Sequence, residues 1–167
     1  MGQLGRVVAL GPKDLPAIQA LFQRCAAFFQ LVYGAPPRHD EAERWLLHEN
    51  APGKAPGDKT AFGLLDDEER LIGAVDVVRD YPEPAQFWIG TMVIEPTIRG
   101  VGMGGWFHVE VLSWIRGRGG RSVGLCVQVQ NAGALRFWER AGYVETGRVR
   151  QRQGERDNEV VRMRLEL

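Results

Sequence analysis

Trp88-Ile89-Gly90-Thr91-Met92-Val93-Ile94-Glu95-Pro96-Thr97-Ile98-Arg99-Gly100-Val101-Gly102-Met103-Gly104-Gly105 is the stretch on which the fold of this chain turns. An apolar run stops at Pro96, which has no N–H to give to the ladder of a central strand. A glycine-dense turn follows, and residues 106–115 then take up a helical pattern. The order is strand, loop, helix. Four glycines in six residues, 100–105, let backbone N–H groups converge at a helix N-terminus, where the dipole favours an anion such as a phosphate. Arg99 at the mouth adds a permanent, forked cation.

Other readings of the loop fail on specific residues. Gly100, Gly102 and Gly105 satisfy the spacing of the dinucleotide fingerprint, but that fingerprint needs a carboxylate at the end of the next strand to hold a ribose. Here the strand ends Val127-Gln128-Val129-Gln130, and the turn lies past the middle of the chain instead of opening it. No lysine followed by Ser or Thr closes the loop, so a Walker-type phosphate loop is excluded. A turn without any ligand is disfavoured, because so many glycines are entropically costly unless something must approach the backbone closely.

Arg99, Gly102 and Gly104 form the pattern Arg-x-x-Gly-x-Gly, which resembles the acyl-CoA pyrophosphate loop of the GNAT superfamily of N-acetyltransferases. Residues 131–143, Asn-Ala-Gly-Ala-Leu-Arg-Phe-Trp-Glu-Arg-Ala-Gly-Tyr, resemble the family's asparagine, helix and Gly-aromatic signature. The strand that ends at Glu95-Pro96 resembles the one that precedes the family's loop. The resemblance is strong over residues 88–143 and holds in pattern only before that.

It implies an α/β domain of the GNAT type over residues 1–167, with a mixed, mostly antiparallel sheet of about seven strands and helices on both faces. It also implies acetyl-CoA as cosubstrate. The pantetheine arm would pair with the backbone of Met92, Val93 and Ile94. The pyrophosphate would take the N–H groups of Gly100, Val101, Gly102, Met103, Gly104 and Gly105. The N–H of Met92 is the candidate donor to a developing oxyanion. Asn131 either contacts the pantetheine or caps the next helix, and both roles are compatible.

Composition narrows the partners. A chain of 167 residues suits one domain. Twenty-one basic and twenty-one acidic residues cancel, so no global field draws the molecule to nucleic acid or an anionic membrane. No apolar run approaches the roughly 20 residues of a membrane span, and residues 7–10 are too short for a signal peptide, which points to the cytoplasm. Cys25 and Cys126 lack metal-like or CxxC surroundings, and the three histidines do not cluster, so both cysteines read as reduced core residues and no metal is expected.

Along the chain, residues 7–10 read as a short strand. Leu15, Ile18, Leu21, Phe22, Cys25, Phe28 and Phe29 then recur at helical spacing. After the break at 33–37, a second helix is expected over 40–50, with Ala42, Trp45 and Leu46 on its apolar side. In the family these helices overlie the acceptor pocket, which makes Tyr33 either a substrate contact or a packed tyrosine. Residues 60–65 and 71–78 form a hairpin, and Gly90 in the next strand is a bulge or a tolerated small residue. Residues 123–129 alternate as a strand parallel to 88–94, because a helix of suitable length joins them. Residues 144–151 and 160–167 close the chain as a hairpin, through which a homodimer is as compatible as a monomer.

An amine attacks only when neutral, and a free alkyl amine with a pKa near ~10.4 is mostly protonated at neutral pH, so a base is needed. The family often supplies it near the start of the central strand, where this chain has Trp88, a residue facing the substrate. Asp76, Asp80 and Glu95 are the remaining candidates, each also readable as a solvated or structurally bonded carboxylate. Together with Glu83 they suggest an acidic mouth for a cationic acceptor, or merely surface charge. The family's usual acid, a tyrosine, is replaced by Trp138, whose N–H donates but releases no proton. A thiolate with a pKa near ~8.5 needs little help at neutral pH, so Trp138 packs on the cofactor arm instead. The expectation is acetyl transfer to a small-molecule or peptide amine in a ternary complex. The alternatives are a non-catalytic acyl-CoA-binding module and a nucleotide-binding regulatory domain.

Overall fold

A computed structural model describes residues 5–167. Seven strands form one sheet in the order β1-β2-β3-β4-β5-β7-β6. They are β1 Arg6–Ala9, β2 Lys59–Leu65, β3 Leu71–Val78, β4 Gln86–Ile94, β5 Ser122–Gln128, β6 Val144–Gln153 and β7 Arg156–Glu166. Among the described strands only β4 and β5 are parallel, and α4, Met103–Gly117, is the crossover that parallel pairing demands. The helical spacing of Phe107, Val111 and Ile115 buries one stripe of α4 against Phe62, Val75, Phe87 and Leu125. Trp138 of α5, Ala132–Arg140, belongs to the same core. On the other sheet face, Ile18, Phe22, Phe29 and Trp45 pack on Ala61, Ala74 and Val93. With a core on each face, β3 is buried at every position.

The first helix differs from the periodicity. α1, Leu15–Arg24, and α2, Ala26–Tyr33, meet at Cys25 with a bend of 74°. Both halves pack on one sheet face, so the apolar stripe runs through the bend and conceals it. The expected helix over 40–50 is shorter as well. A turn of α3, Glu41–Glu43, passes into a π turn, Arg44–His48, closed by Glu49 N–H to the Arg44 carbonyl at 2.8 Å. This wider turn carries Trp45 inward, where it is buried.

The last hairpin, helped by Gln130 just after β5, seals α2. A helix leaves its final carbonyls unbonded. Here Arg156 Nε donates to Gln30 O at 3.1 Å, Gln130 Nε2 to Leu31 O at 3.3 Å, Asn158 Nδ2 to Val32 O at 2.8 Å and Glu155 N to Tyr33 O at 2.8 Å. The hairpin thereby roofs one end of the cleft described next. Among the described residues no single helix is long and apolar enough to cross a membrane.

Candidate active site

The sheet forks at Trp88. β4 pairs with β5 only through Gln86, Phe87 and Trp88, opposite Ser122, Val123 and Gly124. Beyond that point β4 keeps its other neighbour: Val93 pairs with Ala74, and Glu95 N–H reaches the Ile72 carbonyl at 2.9 Å. Strand groups alternate sides, so the N–H and C=O of Met92 and Ile94 face the open gap. The Arg99 guanidinium enters it, with Nε donating to Ile94 O at 3.0 Å. The gap continues into a cleft of about 1750 Å³, flanked by α2 on one side and by α4 and α5 on the other.

At one end of the cleft stands the glycine loop. Gly100 and Gly102 sit at φ of 83° and 84°, a conformation that costs side-chain-bearing residues strain, and Gly102 caps α4. The first helical bond of α4 runs from Trp106 N to Gly102 O at 3.0 Å. Among the described residues, the N–H groups of Met103, Gly104 and Gly105 therefore lack protein acceptors. A Cβ at Gly100, Gly102 or Gly105 would meet nothing within 4 Å, so open space lies in front of these donors. Arg99 is exposed and has no carboxylate partner among the described residues. Free N–H groups, a helix N-terminus, a spare cation and a strand-wide gap fit the pyrophosphate and the peptide-like arm of acetyl-CoA.

At the other end is a bulge. Val75 and Val77 of β3 pair with Met92 and Ile89, so Gly90 and Thr91 oppose the single residue Asp76. Asp76 Oδ1 accepts from Trp45 Nε1 at 2.9 Å and from Thr91 N at 2.8 Å. Its Oδ2 bonds to nothing among the described residues, and a Cβ on Gly90 would lie only 2.4 Å from it. Glycine at 90 is what leaves that oxygen room. Burial pushes the Asp76 carboxyl above its ordinary range, against the opposing charge of Lys59 and the donors Trp45 and Thr91. Tyr33 lines the same end. Burial, with Glu49, Glu41 and Asp76 nearby, pushes its phenol up to about 12, so it stays a donor.

Tyr33, Asp76, Trp88, Asn131 and Trp138 line the cleft with the backbone of Met92, Val93 and Ile94 and with Arg99, Gly100, Gly102, Gly104 and Gly105. The side chains of Val101 and Met103 face away, Val101 into solvent and Met103 into the core, so only their backbone belongs to the loop. Asn131 Oδ1 accepts from Ala134 N at 3.3 Å, a helix cap.

Glu95 and Asp80 do not join the cleft. Glu95, 3% exposed, is held by Arg24 at 2.6 Å and Arg70 at 3.1 Å on the opposite side of β4. Asp80 accepts from Ala85 N at 2.8 Å and Arg79 Nε at 3.2 Å, closing the turn before β4. Glu83 is paired with Arg164 at 2.8 Å. Three of the four carboxylates of the expected acidic mouth, Asp80, Glu83 and Glu95, are therefore spent on structural bonds, and Asp76 remains.

Sequence reasoning missed Trp45, Lys59 and His108. Lys59 donates to the carbonyls of Trp45 and of Glu49, the latter at 2.9 Å, fastening the π turn to β2. His108 lines the cleft from α4, with Nε2 2.9 Å from the Tyr143 hydroxyl. Burial, aided by the charge of Arg116, lowers its pKa to about 4, so the imidazole is neutral at pH 7.

A profile of the acetyltransferase (GNAT) family matches residues 17–143, which span the fork, the loop and α5. The chain belongs to the acetyltransferase (GNAT) family. This GNAT protein is accordingly an acetyl-CoA-dependent N-acetyltransferase. Solved structures share its fold. An acetyltransferase from Thermus thermophilus superposes with a TM-score of 0.79, at 19% identity and 100% of both chains. Spermidine N-acetyltransferase from Vibrio cholerae, in complex with CoA and spermine, gives 0.73 at 22% identity over 98% of this chain and 95% of that one. The ribosomal-protein-S18-alanine N-acetyltransferase from Escherichia coli gives 0.72 at 16% identity over 97% and 93%. A search of curated protein sequences finds no match.

Proposed function

We propose that this GNAT enzyme transfers the acetyl group of acetyl-CoA to a primary amine of a small molecule or peptide, by direct attack within a ternary complex. The fork in the sheet carries the reading, because it leaves the Met92 N–H without a strand partner among the described residues, on the lining of the cleft. Bound along that gap, acetyl-CoA supplies an activated acetyl thioester. The Met92 N–H is then positioned to donate to oxygen as negative charge grows on it. Asp76, with one oxygen free, takes the proton that an alkylammonium must lose before it attacks. Trp45 and the Thr91 N–H hold that carboxylate in place, and Tyr33 offers a hydroxyl at the same end. That the similar Vibrio cholerae enzyme was solved with spermine supports an amine acceptor for this fold.

Direct attack is favoured over an acyl-enzyme by the state of the cysteines. Cys25 is fully buried against β4. Cys126 lines the cleft, but burial pushes its thiol up, leaving little thiolate even with Arg162 beside it. The test is a panel of primary amines with release of the CoA thiol as readout, alongside intact mass after incubation with acetyl-CoA alone. Amine-dependent release without an acetylated protein, retained in Cys126→Ser, is expected. An acetylated Cys126 whose loss abolishes turnover would overturn direct attack.

A further inference from the structure

The floor of the acceptor half of the cleft carries one unanswered charge. Val123, Leu125 and Val127 of β5 and Val161 and Met163 of β7 point into the α4 core. Gly124, Cys126, Arg162 and Arg164 alternate with them and so face the opposite side, beneath α2. There the Trp88 indole lies across Gly124, where a Cβ would fall 2.7 Å from its ring atoms, and the Tyr81 ring braces it at 5.6 Å. Arg162, the register partner of Cys126, comes one step further along this floor.

Its neighbours are all satisfied. Arg164 is bound to Glu83 at 2.8 Å and Glu166 at 2.6 Å, and Arg150 to Asp157 at 3.1 Å. Gln153 Oε1 accepts from Gln128 at 3.0 Å and from Asn158 at 2.7 Å. Lys59 is taken up by backbone carbonyls. The Arg162 guanidinium has no carboxylate partner among the described residues, although it lines the cleft. Of the other cleft cations without a carboxylate partner among the described residues, Lys59 is the one held by carbonyls, Arg99 sits at the glycine loop with Nε on Ile94 O, and Arg140 lies on α5. Arg162 is therefore not needed for the phosphates.

We propose that the acceptor bears a negatively charged group, a carboxylate or comparable oxyanion, a few bonds from its amine, and that Arg162 receives it. This deepens the acetyl-transfer reading and rests on it. Adjacent strands lie about 4.8 Å apart, so β7 runs roughly 10 Å from β4 where all three strands still pair, at Trp88, Gly124 and Arg164, and the gap widens from there toward Arg162, whose long stem covers part of it. A molecule of amino-acid size bridges the rest, with its amine at the Gly90–Met92 bulge. The same guanidinium repels the second ammonium of a polyamine, and its fork matches a carboxylate bidentately.

Matched acceptors test this. Several free amino acids, their carboxamides, the corresponding decarboxylated amines and spermidine are compared as kcat/KM in the wild type, Arg162→Gln and Arg162→Lys. The expected wild-type preference for acids over amides is about 10- to 100-fold, expressed mainly in KM. It collapses toward unity in Arg162→Gln and survives in part in Arg162→Lys, while acetyl-CoA protects all three proteins equally from thermal unfolding. A preference for amides, amines or spermidine, or an equal loss on acids and amides in Arg162→Gln, overturns the assignment. If no amine is acetylated although acetyl-CoA protects, the transfer reading fails on its own. N-acetyl amino acids and their amides are then titrated calorimetrically into the protein with CoA. Acid-selective binding that Arg162→Gln abolishes upholds the site, and its absence rejects it.

Discussion

Asp76 and Gly90 show how much of the chemistry hangs on a missing side chain. A Cβ at Gly90 would sit on the free carboxylate oxygen, so Gly90→Ala should displace Asp76 and cut kcat while the cofactor still binds. Asp76→Asn keeps an oxygen for Trp45 and Thr91 but cannot take a proton, and should lower kcat by about 10²- to 10⁴-fold. Its stability should move the other way. The folded protein holds the Asp76 proton more tightly than the unfolded chain does. That contribution is present at low pH and lost as pH rises through the raised pKa, above which the ionised side chain is a cost. Relative to the wild type, the Tm of Asp76→Asn should therefore rise as pH increases. A relative Tm that does not rise, or undiminished kcat, would refute this account of the residue. The sequence shows Asp76, Asp80, Glu83 and Glu95 as equals. What separates them is invisible there, because Trp45, Arg24, Arg70 and Arg164 reach them from distant segments.

At the scale of elements, the loop and the strands around it were legible because their rules are local: proline ends β4, glycines open α4, and alternation marks β5. The bend at Cys25 and the π turn were not, because both arise from packing on a surface made by other segments. The cap on α2 was also hidden, since its donors come from the far end of the chain. Asn158 is central to that cap, bonding Val32, Gln153 and Gln130 while buried. Asn158→Ala should cost about 1–3 kcal/mol in chemical denaturation and raise KM for the amine by loosening Tyr33. Wild-type stability would show that the hairpin does not hold the helix. The α4–α5 contact carries its own pH dependence. His108 titrates near 6.5 when unfolded and about 4 when folded, so stability is lost as pH falls through that interval. In His108→Gln the decline of Tm between those two values should flatten, and an unchanged slope would assign the acid sensitivity elsewhere.

At the scale of the molecule, the sheet is two paired sets of strands that touch only at residues 86–88 of β4, and the cleft is the consequence of that short contact. The parallel pairing and crossover helix could be anticipated from residues 88–129. The fork could not, because it depends on where two ladders part. The proposed transfer depends on the open end of α4 receiving the phosphates of acetyl-CoA. Gly105 offers the sharpest probe, because its Cβ direction is empty and it lies in the first turn of α4. Replacing a helical glycine gains up to ~1 kcal/mol, and an acidic residue suits a helix N-terminus, so Gly105→Glu should melt at or above the wild-type temperature. The same carboxylate would occupy and repel an anion site. Thermal unfolding of both proteins with and without acetyl-CoA is the measurement to make. In the wild type, acetyl-CoA at ~100 times its Kd should add about 2.7 kcal/mol of stability. The prediction is a clear rise in Tm for the wild type and none for a fully folded Gly105→Glu, whereas equal protection of both would contradict it.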